Sequence, residues 1–207
     1  MCYHAVMINE NFIYLGVIIN LLGGISYIKD TLIGKAKPNR ISWALWAVPV
    51  MIASFAQMSQ GVGLQALATF VVGLVPLLVF LSSFINKQAY WKLTRFDMVC
   101  GALSVSGLIA WYISKDANTA IIFSIFADLL AGIPTLIKSY KFPETENWVE
   151  FLSALISLSI TMLTFKTWTF AYWGFPLYLF LFDLIVFMLI KFRLGKKINL
   201  LMKPTLS

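Results

Sequence analysis

The chain has 207 residues, 60% of them apolar and only 12% charged, with a mean hydropathy of +0.83 and a formal net charge of +7. A water-soluble domain carries about 25% charged residues, so there is too little polar surface here to coat a soluble globule. A bilayer is expected to solvate much of the chain. The positive charge does not point to nucleic acid, because the lysines and arginines sit in short breaks between apolar runs, as topology signals do.

In chain order, residues 1–10 lack the basic segment of a signal peptide, and the first apolar run lacks a convincing cleavage site. The first helix is therefore expected to remain. A membrane helix needs roughly 20 mostly apolar residues, and seven runs qualify, at 11–28, 41–59, 64–85, 97–114, 119–138, 148–165 and 170–191. The expected fold is an all-α membrane protein of seven transmembrane helices. The breaks between the runs are polar: KDTLIGKAKPNR, SQGVG, NKQAYWKLTRF, KDAN, KSYKFPETEN and FKTWT. Residues 192–207 read as a basic cytoplasmic tail.

Of the 16 lysines and arginines, all but Lys115 and Lys166 fall in the first, third and fifth breaks or in the tail. Short cytoplasmic loops retain positive charge, so the N-terminus is expected outside and the C-terminus inside, in a membrane compatible with the bacterial inner membrane. Trp111, Tyr112, Trp168, Tyr172 and Trp173 read as the outer aromatic belt, and Trp43, Tyr90, Trp91 and Trp148 as the inner one. Cys2 and Cys100 then lie on opposite sides and cannot pair. With His4 the single histidine, no structural metal site and no cofactor are expected.

Three local matches suggest a duplication. Asn20–Ser26 reads NLLGGIS and Asp128–Pro134 reads DLLAGIP; Pro38 precedes Trp43 by the same spacing as Pro143 precedes Trp148; and PLLVFL at Pro76–Leu81 echoes PLYLFL at Pro176–Leu181. Their common order indicates two three-helix units, over 11–85 and 119–191. The lone helix at 97–114 carries the chain back across, which makes the units parallel.

This plan, with the segment GIPTLIKSYKFPETENW ending one helix, resembles the SWEET and PQ-loop superfamily of small seven-helix membrane transporters. The sequence departs from that pattern at Thr135, where a glutamine would follow the proline, and at Ser26, where a proline would stand. The resemblance implies a 3+1+3 architecture and transport of a sugar or other small metabolite by alternating access. On the same pattern Gln57, four residues before Gly61, takes the place of a tryptophan as a candidate substrate contact.

An ionisable residue in the bilayer core costs about 2.5–3.5 kcal/mol on insertion scales, which makes it a functional candidate. Two acids lie well inside the runs, Asp128 and Asp183. Asp128 has Asn20 as its repeat mate, and Asp183 has Ser83. Asn20, Asp128 and Asp183 are therefore candidates for substrate binding or proton coupling. The plain alternative is that such residues bond neighbouring helices together. Pro76, Pro134 and Pro176 each remove a helix hydrogen bond and are candidate kinks or gates; Pro49 also lies within a run.

No lysine stands deep in the seventh run for a retinal Schiff base, and no GxSxG, HExxH or Walker motif occurs. No catalytic residue is expected. The expected partners are a small-molecule substrate and the lipid bilayer, with no nucleic acid; a homo-oligomer stays open. A non-transporting receptor or trafficking protein of the same fold is the alternative function.

Overall fold

A computed structural model of the chain describes residues 8–59, 64–89, 91–113, 117–165 and 170–201. Cys2, His4, Tyr90, Lys115, Lys166, Trp168 and Lys203 lie outside them, as do the side chains of Pro49, Gln57, Trp111 and Tyr172. The described residues form helices and no strand: α1 (Phe12–Leu32), α2 (Arg40–Ser59), α3 (Leu64–Ser82), α4 (Arg95–Ile113), α5 (Ala117–Lys141), α6 (Trp148–Leu163), α7 (Phe170–Lys191) and α8 (Leu194–Leu201).

Polar residues in the breaks set the helix ends. Asn39 caps α2, its Oδ1 accepting from the backbone N–H groups of Ile41 (3.1 Å) and Ser42 (3.4 Å). Asn147 caps α6 in the same manner, accepting from Val149 (2.8 Å) and Glu150 (3.2 Å). Each asparagine occupies amide donors that a helix start leaves without intrahelical partners. Thr94 and Asp97 form a reciprocal cap at the start of α4, with Asp97 Oδ2 accepting from the Thr94 N–H and Thr94 Oγ1 accepting from the Asp97 N–H. After α1 the chain turns at Gly34, whose φ of 80° lies in the left-handed region that favours glycine.

Two boundaries differ from the sequence expectation. α1 runs to Leu32 because Asp30 and Thr31 are held within it. The Asp30 carboxylate accepts from Asn147 Nδ2 (2.7 Å), and the Thr31 hydroxyl donates to the Tyr27 carbonyl (3.0 Å). The tail is also not featureless. The chain turns at Arg193 (φ 52°) into α8, which packs on α5 and α7.

The helices pair in a matched pattern. Within the first three, α3 lies against both α1 and α2; among α5–α7, α7 lies against both α5 and α6. Between the groups, α1 packs on α6 and α5 packs on α2, while α4 packs on α5 and α2. Small residues make these approaches close. A Cβ on Gly23 would overlap the Ser153 side chain of α6, and one on Gly24 would lie 2.7 Å from Val75 of α3. On α5, the Ala131 carbonyl accepts from Ser42 Oγ of α2 (2.6 Å), and a Cβ on Gly132 would lie 2.5 Å from Phe182 of α7. In each helix, adjacent small residues serve two different neighbours.

The burial pattern is inverted relative to a soluble bundle. On α1, Asn20 is buried while Phe12, Leu15, Ile18, Leu22 and Ile25 are exposed along the outer face. A contiguous exposed apolar stripe of this kind marks a surface that meets something other than water. Among the described residues, Phe12–Leu32 and Trp173–Lys191 are long and apolar enough to cross a membrane; Leu67–Ser82 and Trp148–Leu163 are apolar but shorter.

Candidate solute cavity

A cavity of about 80 Å³, counted as space for the centres of water molecules, opens between α1–α3 and α5–α7. One such centre needs roughly 10–15 Å³, so the space holds several waters or a small solute. Every one of these six helices lines it, and among the described residues none of α4 does.

The lining residues fall into pairs. Asn20 of α1 matches Asp128 of α5, 108 places on. The same step takes Trp43, Trp46 and Val50 of α2 to Phe151, Ala154 and Leu158 of α6. A step of 107 takes Val72, Val75 and Pro76 of α3 to Leu179, Phe182 and Asp183 of α7. The two asparagine caps, Asn39 and Asn147, obey the first step as well.

This register differs from two of the local sequence matches. The counterpart of Trp43 is Phe151, four residues after its cap just as Trp43 follows Asn39; Trp148 opens α6 and has a different environment. The counterpart of Pro76 is Asp183 rather than Pro176, because both line the cavity, whereas Pro134 and Pro176 lie inside their helices and away from it. Ser83, expected as the mate of Asp183, sits past the end of α3, where its hydroxyl accepts from Arg40 Nε (3.0 Å). Apolar runs repeat the same few residue types, so short strings match by chance in the wrong register.

Trp43 is also not an interface anchor. It is 2% exposed, with its ring tilted against Tyr27 at 4.6 Å and edge-to-face with Trp46 at 5.4 Å, in a core that continues through Phe182. Trp148 is partly buried, with the Lys191 ammonium 3.5 Å from its ring centroid. Of the lysines in the basic breaks, Lys138 is buried near the end of α5. Its ammonium pairs with Glu146 Oε1 (2.7 Å) and also donates to the Lys37 carbonyl, while the Tyr27 hydroxyl donates to Glu146 Oε2 (2.5 Å).

The polar part of the cavity is small and specific. Asp128 Oδ2 accepts from the Tyr178 hydroxyl at 2.9 Å. Asn20 is 5% exposed and its Oδ1 has no hydrogen-bond partner. Asp183 lines the same space. Sequence reasoning missed Glu150, which is 6% exposed, lines the cavity and has an unpartnered Oε2. Its place three residues after Asn147 reads as an ordinary capping position at a helix start, yet the chain before α6 is itself buried, as Glu146 (5%) and Asn147 (3%) show. Gln57, near the C-terminal end of α2, lies outside the described side chains.

No metal-binding group of three histidine, cysteine, aspartate or glutamate residues forms among the described residues. Compared with known proteins, the chain matches no family model, no curated protein and no solved structure.

Proposed function

We propose that this protein is an integral membrane transporter of small solutes, in which α1–α3 and α5–α7 are parallel repeats joined by α4 and rock about a shared cavity. The carrying observation is that the cavity wall consists largely of residues paired at nearly constant steps of 108 and 107 across the two groups, with no described α4 residue among them. A site placed between two equivalent units can open to either side when one moves against the other, which is the basis of alternating access. The matched packing of α1 on α6 and α5 on α2 supports the same reading.

A bilayer location is supported by the two long apolar helices and the exposed apolar stripe of α1. The distribution of basic residues favours an outside N-terminus and an inside C-terminus. The plan is that of a SWEET or PQ-loop type transporter, and no residue is assigned a catalytic role.

The test is flux. Purified protein in liposomes should carry solutes from an external metabolite mixture to the lumen, read by mass spectrometry against protein-free liposomes. Ligand binding without flux would instead make this a receptor, and conversion of a solute would make it an enzyme.

A further inference from the structure

The pairing across the cavity is broken in one direction only. Asn20 is replaced by Asp128, Pro76 by Asp183, and Ser42, at the matching place on α2, by Glu150. All three carboxylates thus stand on α5–α7. Tryptophan alone runs the other way: α2 supplies the indoles Trp43 and Trp46 where α6 supplies Phe151 and Ala154, while Phe175 and Phe182 stand on α7. The cavity therefore has an acidic wall and a tryptophan-bearing wall, and among the described residues no lysine, arginine or histidine lines it.

We infer that this cavity takes a small organic ammonium cation, held between the α5–α7 carboxylates and the α2 indoles. The inference rests on the reading of the cavity as a solute site. An ammonium group satisfies both walls at once, since it donates to carboxylates and is attracted to the face of an indole ring. A sugar would leave several acids facing one another in a space that excludes much water. Asn20 Oδ1 on α1 and Glu150 Oε2 on α6 are buried acceptors without partners, and the Trp43 Nε1 donor beside them is unpartnered too; an ammonium donor would satisfy the two acceptors. The carboxylates come from three helices and form no chelating group, which suits an organic cation with several hydrogens to donate better than a bare metal ion.

The experiment uses the full chain in detergent and matched pairs of probes: propylamine, protonated at neutral pH, against propanol, and putrescine against butanediol. At least one ammonium probe should raise Tm and quench tryptophan fluorescence, with its neutral partner binding on the order of tenfold or more weakly. Glu150→Gln and Asp183→Asn, each checked for an intact melting transition, should weaken the ammonium probe by a similar factor and leave the neutral one unchanged. Equal responses within both pairs, or no response to either ammonium probe, would overturn the inference. Putrescine binding without passage into liposomes would sink transport and leave the cation site standing. Flux of neutral solutes with no ammonium response would do the reverse.

Discussion

Ser42 and Glu150 occupy the same position on α2 and α6, three residues past the asparagine that caps each helix, and face opposite fates. The Ser42 hydroxyl donates to the Ala131 carbonyl at 2.6 Å, whereas Glu150 Oε2, beside Gly23 at the matching place on α1, has no partner. An unsatisfied buried acceptor costs about 1–3 kcal/mol, more when charged. Glu150→Ser copies the satisfied counterpart. It should therefore raise the apo Tm by a few degrees, at about 2–4 °C per kcal/mol for a chain of this size, while abolishing the response to ammonium probes. An unchanged or lower Tm with ligand response intact would show that Glu150 is an ordinary packing residue.

Lys138 and Glu146 make the opposite case, a buried pair with its partners present. Their side chains are 1% and 0% exposed, and Tyr27 and the Lys37 carbonyl complete the cluster. Removing one member leaves an uncompensated buried charge, which costs about 3–5 kcal/mol. Lys138→Met should lower Tm sharply, and adding Glu146→Gln should restore much of the loss. A double variant no better than the single one would show that packing of the lysine stem, not charge, is what matters.

Asp128 faces the Tyr178 hydroxyl at 2.9 Å, with Asp183 and Glu150 on the same wall and Asn20 across from it. An ionised carboxylate at this depth is expensive, so a proton is an effective way to neutralise Asp128 when the cavity is empty. Asp128→Asn keeps an acceptor for Tyr178 and removes the titration. Solute exchange should persist in this variant with its dependence on pH flattened. Transport with the wild-type pH profile would assign proton traffic to another acid.

The α8 helix is tied to the turn before α6 by Lys196 and Glu144, 2.8 Å apart and each about half exposed. The hydrogen bond from Lys196 holds the Glu144 carboxyl below its ordinary range. Stability from a lowered carboxylate is present above the unfolded pKa and is lost as pH falls through the folded one. Screening limits an exposed pair to about 0–1 kcal/mol. Amide exchange in α8, corrected for intrinsic rates, should quicken modestly as pH drops below about 4, and Lys196→Ala should remove that sensitivity. Equal pH dependence in both proteins would show that α8 is held by its apolar contacts alone.

Much of the helix layout was legible in hydropathy, because each of α1–α7 is an apolar run bounded by polar or glycine-bearing breaks. Asn20, Asp128 and Asp183 stood out as polar groups inside such runs, and all three line the cavity. What the sequence concealed depends on three-dimensional burial. Trp43, Lys138 and Glu150 sit near run ends, where residues ordinarily meet water or headgroups, but here the adjoining break residues Ala36, Asn39, Glu146 and Asn147 are buried. The register of the α3–α7 pair was hidden for a different reason: its step of 107 differs from the 108 of the other helices, and a chance proline match pointed elsewhere.

The most direct test of the central claim is two-sided access to Ser157, which is buried at 8% exposure and lines the cavity from α6. Ser157→Cys in a background with Cys2→Ser and Cys100→Ser would be treated with a membrane-impermeant thiol reagent in right-side-out and inside-out vesicles. Alternating access predicts labelling from both sides, each rate shifting in opposite directions when a transported solute is added. Labelling from one side only, unaffected by solute, would contradict a cavity that opens alternately across the membrane.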